Sequence, residues 1–499
     1  MRVCLLSSRP YPPDSRLALE ARGLLDAGHD TVVLCPRRAG READGSEDAG
    51  DAEAGREMVG GLDVDRLPVD DPPFGSEATP QAIGAAAGST HSAWESGIER
   101  LDRELPIDAI GVQGLALAKT GLEAGEDLEI PVVLDFDADP VARLAHRRSV
   151  GESKNLLTQP GALAARVRSP LRRLRCLEAS AISRADRVVV ASEEARAQYV
   201  RDRDLPPEKV RVVQSTVDLP VFDAASARSP VGLDFSPDSD FIVTYPGPLV
   251  PERGLETLID ALAQLAKATS DARVVLPGRG PETYVESLRE RADCVGVAER
   301  VTFATRAGPE DVPAHLALCD ASVLPFPESE YATTALPGAL FASFAAGTPT
   351  VIGDVSPLRR VLTRADAGLV ATDSHTDLAA ALRVLRRSPE RAADLGANGR
   401  RAVEPGSAFD AARDRVAIAR AYADLCSDSF PSRASWYRTA PGALLASVAG
   451  SIAVRLWSLS YGRSTASNSM PVAYGSARRA ALPTRRRRSL GRRIIVPNW

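Results

Sequence analysis

The stretch from Asp320 to Arg360, DASVLPFPESEYATTALPGALFASFAAGTPTVIGDVSPLRR, leaves few choices of fold. Asp320 leads into a short apolar run, Ala321–Pro325, and then a polar loop, Phe326–Leu336. The pattern predicts a helix over about Pro337–Ala346, stopped at Gly347 where a C-terminal glycine is expected, and a second strand at Thr350–Ile352. Pro337 suits a first helical turn, and the hydroxyls of Thr333 and Thr334 are placed to satisfy free N–H groups there. Strand, loop, helix and strand in that order make one step of a parallel α/β sheet. A loop feeding a helix N-terminus at the carboxyl end of such a strand is where α/β proteins bind phosphate.

The same alternation recurs along the chain. Val3–Ser7 reads as a strand, Leu17–Ala27 as a helix closed by Gly28-His29, and Thr31–Cys35 as the next strand. Further strands are expected at Leu62–Leu67, Ala109–Val112, Pro131–Leu134, Arg187–Ala191 and Val210–Gln214, then at Phe241–Tyr245, Arg273–Leu276, Val301–Ala304 and Gly368–Val370. At 499 residues the chain has room for two or three domains, each with its own core. Residues 1-224 read as the first, the Ser-, Pro- and Asp-rich segment 225-240 as a linker, and 241-405 as the second. Within the first, 38-58 is rich in Gly, Ala, Asp and Glu without periodicity and reads as a solvated acidic insertion. A long helix is expected at Ser407–Cys426, within 406-428. The extension 429-499 then carries an apolar helical stripe over 442-459, including Leu445, Val448, Ile452 and Leu456, and an arginine-rich tail.

Composition narrows the function classes. A chain with 44% hydrophobic residues is a globular body rather than a disordered one. The net charge of −5 hides an asymmetry between the acidic Arg41–Glu57 and the basic Arg485–Arg488. That tail has no interleaved aromatics, so nucleic acid is not an expected partner. The six cysteines form no C-x-x-C pair, which fits buried free thiols in a reducing compartment. The opening strand is too short for a signal peptide, and no run reaches the ~20 apolar residues of a membrane span. A cytoplasmic protein is expected, its extension either packed on the body or lying on the cytoplasmic membrane face.

Several polar positions stand out. Arg16 sits at a helix start, where it could face an anion or solvent. Asp135-Phe136-Asp137 ends a strand and could hold a divalent ion, cap its loop or line a polar site. Arg253 closes the turn that begins at Gly247, and its planar fork suits phosphate oxygens. Gly278 and Gly280 lie between a strand and a helix, where glycine lets backbone come close to a ligand. The five histidines are scattered, with no metal spacing.

Taken together, Pro337, Phe341 and Ala346-Gly347-Thr348-Pro349 resemble the donor segment of family 4 glycosyltransferases, which are retaining enzymes. Asp14 and Arg16 ahead of a helix that ends in Gly28-His29, the run Ala185–Glu193 and the later Val217-Asp218 are similar to the family's first domain. The resemblance implies the GT-B fold: two Rossmann-like, doubly wound parallel sheets facing a central cleft, acceptor on the first, donor on the second. It also implies that 406-428 crosses back to the first domain. This sequence departs from the family pattern at its polar positions. The family's two glutamates fall on Thr334 and Ala342, its lysine on Ala339, its histidine on Asp137 and its usual asparagine on Ser215. In the turn before the second domain's first helix, Pro248 replaces an arginine while Arg253 keeps the charge of a lysine.

On this resemblance Asp137, Thr334 and Glu330 are the polar groups left around the reacting sugar. Gly247, Arg253, Gly278, Gly280, Arg306, Thr333 and Pro337 would hold the nucleotide, and Arg16 and Gln113 would lie on the acceptor side. The implied co-substrate is a UDP- or GDP-sugar, with no cofactor and no metal required. The implied acceptor is a glycan or a lipid-linked sugar in surface polysaccharide or glycoprotein assembly. The missing carboxylates leave two alternatives: a catalytically silent partner or sugar-binding subunit, and a sugar-nucleotide epimerase.

Overall fold

A computed structural model of the chain describes residues 1–12, 15–37, 55–69, 87–152, 170–230, 239–305, 307–372 and 374–426. Arg306 and the whole extension 429-499, with its stripe at 442-459, lie outside the described residues.

The apolar runs form two sheets. The first takes β1 (Arg2–Leu6), β2 (Asp30–Pro36), β3 (Gly55–Val59), β4 (Leu62–Leu67), β5 (Ala109–Gln113), β6 (Val132–Phe136), β7 (Arg187–Val190) and β8 (Val210–Val212), in the order β3-β4-β2-β1-β5-β6-β7-β8. The second takes β9 (Phe241–Thr244), β10 (Ala272–Pro277), β11 (Val301–Ala304), β12 (Ala321–Leu324), β13 (Thr350–Gly353) and β14 (Gly368–Ala371), in the order β11-β10-β9-β12-β13-β14. In both, strand order reverses beside the first strand, which is the doubly wound arrangement that opens a crevice at the strands' carboxyl ends. The central strands are buried on both faces, as parallel sheets covered by helices must be.

Three expectations are corrected. The second sheet is wholly parallel, but the first is mixed, because β3 runs antiparallel to β4 through the Gly60-Gly61 turn. The end of the 38-58 insertion is therefore an edge strand. GREMV is almost wholly exposed, so it carries none of the apolar alternation that reveals a strand. The linker expected over 225-240 begins inside a helix, Leu219–Ser226, that buries Leu219 and Phe222. The terminal helix starts at Ala411 rather than near Ser407, because Asp410 caps it by accepting from Ala412 N at 2.8 Å.

That last helix, Ala411–Ala423, packs along Ser15–Asp26, and its Ile418 and Tyr422 are buried in the core beneath β1 and β2. The core around β9–β14 in turn reaches Ala138, Ala142 and Ala191, which follow β6 and β7. The two halves are joined by apolar packing as well as by chain.

Candidate active site

The loops leaving β6, β7 and β8 meet the loops leaving β9 and β12. On the first side, the three aspartates at and beyond the end of β6 take different duties. Asp135 is buried and accepts from Arg16 Nε at 2.7 Å. Asp139 Oδ1 accepts from Val141 N and Ala142 N, at 2.9 and 2.8 Å, and so caps the helix Pro140–Glu152. Asp137, its side chain 54% exposed, faces Arg143 Nη1 at 3.5 Å. Partial loss of water raises the Asp137 carboxyl, but Arg143, Arg9, Arg16 and Arg253 outweigh that and hold it below the usual carboxylate range. It is the anion among four cations.

Arg16 does more than face solvent at a helix start. It also donates through Nη1 to Val213 O and Ser215 Oγ, at 2.9 and 3.0 Å, so it ties β6 to the loop after β8. Gln113 Nε2 donates to Glu20 and, at 3.5 Å, to Asp135. Tyr422 OH donates to Glu20 Oε1 at 2.5 Å. Burial, together with the nearby Asp135, pushes the Glu20 carboxyl well up, and Arg16 only partly offsets it. One arginine serving two buried carboxyls shifts Glu20 toward its protonated form.

On the second side, the turn Pro251–Arg253 ends at Gly254, whose φ of 71° is left-handed. A Cβ at Gly254 would sit 2.3 Å from Pro325 O, so only glycine lets this turn close on the end of β12. Arg253 is thereby laid over the rings of Phe326, at 4.6 Å, and Tyr331, at 5.7 Å. Its Nε and Nη1 are buried without a hydrogen-bond partner. Burial works against its charge, and the Glu252 and Asp137 carboxylates around it favour that charge.

The helix expected from Pro337 begins one position later, at Gly338, with Pro337 as an N-cap that offers no side-chain bond. Thr333 and Thr334 do not cap it. Their hydroxyls donate to Glu330 O at 2.7 Å and Tyr331 O at 3.1 Å, within their own turn. The Thr334 carbonyl accepts from Ser192 Oγ at 2.7 Å, which pins the loop to the first half. A Cβ on Gly338 would lie 3.2 Å from Ser215 O, so the helix tip meets the loop that Arg16 holds. Glu330 lies outside this group, half exposed and paired with Arg175 at 2.6 Å. Gly278 and Gly280 close on the chain itself: Cβ atoms there would fall 2.3 Å from Gly247 O and 1.8 Å from Leu249 O. Leu249 N also donates to Arg279 O at 2.9 Å. These glycines fasten one loop to another.

The structure therefore gathers Arg16, Asp137, Arg253 and the tip after Pro337, and leaves Glu330 and the Thr334 hydroxyl turned elsewhere. Arg143, Glu20, Tyr331 and Ser192 are the members that sequence reasoning passed over. Asp139-Pro140 is a helix-start signature that would have placed Arg143, and the i, i+4 spacing of Arg16 and Glu20 puts them on one helix face.

The sequence model described as Glycosyl transferase 4-like domain matches residues 14–215, and the one described as Glycosyl transferases group 1 matches residues 234–402. D-inositol 3-phosphate glycosyltransferase of Rhodococcus jostii is 28% identical over 237 residues, 46% of this chain and 50% of its own. A GDP-mannose-dependent alpha-(1-6)-phosphatidylinositol monomannoside mannosyltransferase of Mycobacterium tuberculosis is 33% identical over 156 residues, 30% of this chain and 40% of its own. The chain thus spans about half, or less, of the length of these curated relatives. Among solved structures, sucrose-phosphate synthase from Thermosynechococcus elongatus superposes with a TM-score of 0.63 at 17% identity, over 85% of this chain and 99% of that one. Anabaena HepE in complex with UDP and glucose gives 0.55 at 17% identity, over 85% and 98%. One half carries the first sequence model, the other half carries the second, and both sit on the fold that these structures share: the chain belongs to the group 1, family 4 glycosyltransferases of GT-B fold.

Proposed function

We propose that this chain moves a sugar from a nucleotide-sugar donor, a UDP- or GDP-sugar, to a glycan or lipid-linked acceptor in surface polysaccharide or glycoprotein assembly. The observation that carries the reading is the Arg253 guanidinium, pressed on Phe326 and Tyr331 with Nε and Nη1 unpartnered where the two halves meet. A cation fixed in advance is what a departing diphosphate needs, because stabilising charge that develops late is worth more than binding charge already present. In this reading Arg253, Gly247, Thr333, Gly278, Gly280, Arg306 and the tip after Pro337 serve the donor, Asp137 faces the sugar, and Arg16 and Gln113 serve the acceptor side. Glu330 and the Thr334 hydroxyl would take part only after the loop Phe326–Leu336 rearranges.

The test is incubation of the full chain with UDP-glucose and with GDP-mannose, following release of the nucleoside diphosphate. Turnover that falls by about 100-fold in Arg253→Ala supports the reading. Neither binding nor release with both donor types sinks it. A second reading, a catalytically silent sugar-binding partner, is favoured by Glu330 being tied to Arg175 and by Ala342 standing in the helix where the family carries a carboxylate. Donor binding without turnover would select it.

A further inference from the structure

The helix Pro140–Glu152 belongs to the first half, yet it packs against the turn Pro251–Arg253 of the second. Arg143 and Arg253 are thus brought to the same place from opposite halves, close enough for Arg253 to work against the charge of Arg143. Two arginines facing one space repel each other unless an anion lies between them. Glu252, buried in the same turn, acts on both, but the anion that pairs with Arg143 is Asp137, and its hold is loose. The pair meets through one contact of 3.5 Å, whereas Arg16 grips Asp135 at 2.7 Å and Arg360 grips Glu194 through two bonds of 2.8 and 3.0 Å. Asp137 is also half exposed, so water has access to the pair and another anion can exchange into it. On the far side, Arg253 presents two donors with no partner. Asp137 and Glu252 offer this pair of guanidinium forks no charge to spare, and Arg253 Nε and Nη1 still lack acceptors. A diphosphate brings more of each, in the planar geometry that arginine favours.

We propose that Arg143 is the second cation on the donor's diphosphate, supplied by the half that carries the acceptor, and that Asp137 is the carboxylate the incoming diphosphate displaces from it. This rests on the donor-site reading above and adds a consequence to it. Nucleotide affinity depends on both halves at once, so the diphosphate acts as a bridge between them, and Asp137 screens the bridge against anions too weak to displace it.

The test compares UDP and GDP, each with its nucleoside as control, by titration calorimetry on the full chain. Asp137→Asn removes the competing carboxylate and should tighten diphosphate binding several-fold. Adding Arg143→Met to Asp137→Asn, which leaves no stranded charge, should then weaken diphosphate binding at least tenfold relative to Asp137→Asn alone, with nucleoside binding unchanged. Arg143→Lys in the same background keeps charge and bulk and should recover most of the loss. Equal diphosphate affinity for Asp137→Asn and Asp137→Asn/Arg143→Met overturns the proposal while the donor site stands, as does a lysine variant that binds no better than the methionine one. A wild-type chain that binds neither UDP nor GDP removes the donor site and this proposal together.

Discussion

At Glu20 a carboxyl is buried beside a second carboxyl, Asp135, with Arg16 as the nearby countercharge. Neutralising the cluster requires one proton more than the ordinary carboxylate range would hold. The folded chain therefore binds that proton more tightly than the unfolded chain does. Its stability contribution is fully present below the usual glutamate pKa, and it is lost as pH rises from there through the raised folded value. Glu20→Gln keeps the shape and an oxygen that can accept from Tyr422 OH but carries no proton to lose. Thermal melts from pH 5 to 8 should show the wild type falling toward, then below, the variant. The gap should change by at least about 2–4 °C, which corresponds to ~1 kcal/mol in a domain of this size. A constant gap across that range would mean that Glu20 is ionised throughout.

At the scale of elements, the loop Phe326–Leu336 is held from outside. Ser192 Oγ donates to Thr334 O while accepting from Ala195 N at 3.0 Å, so one hydroxyl both caps the helix Glu193–Asp202 and latches that loop. Ser192→Ala removes both, at a cost of ~1 kcal/mol for the cap alone. Amide hydrogen exchange should quicken in 331–336 as well as in the first turn of that helix. Quickening confined to the helix would show that the loop holds itself. Such joints explain what could be read in advance. Central strands such as Val132–Phe136 and Ala321–Leu324 are legible because each is an apolar run buried throughout, and Gly347 marks a helix end by chemistry that needs no partner. The strand Gly55–Val59 is not legible, since it is exposed and polar and exists through its pairing with β4. The site divides the same way. Arg253 and Asp137 announce themselves by position after a strand, whereas Arg143 matters through a turn from the other half. Glu20 matters through Tyr422, at the far end of the described chain, which no local pattern links to it.

At the scale of the whole molecule, the halves are joined by the Arg360–Glu194 fork, the Ser192 latch and shared apolar packing, so the two faces of the candidate site are presented together. A lipid-linked acceptor would have to be met at a membrane, and among the described residues no helix is long and apolar enough to cross one. The sequence offers another route in the extension 429-499, outside the described residues: an apolar stripe at 442-459, followed by Arg485–Arg488, Arg492 and Arg493. Clustered arginines gain ~1 kcal/mol each near an anionic surface. That attraction fades over a Debye length of about 10 Å at 0.1 M salt, and it works alongside burial of the apolar stripe. The full chain should therefore sediment with phosphatidylglycerol vesicles at low salt, leave them at about 0.5 M salt, where screening is nearly complete, and ignore phosphatidylcholine vesicles. Replacing Arg485–Arg488 with glutamine should abolish most of the binding while leaving release of nucleoside diphosphate from a soluble donor unchanged. Equal binding to neutral vesicles, or no effect of the glutamines, would return the extension to the body of the protein and leave the lipid-linked acceptor without a means of approach.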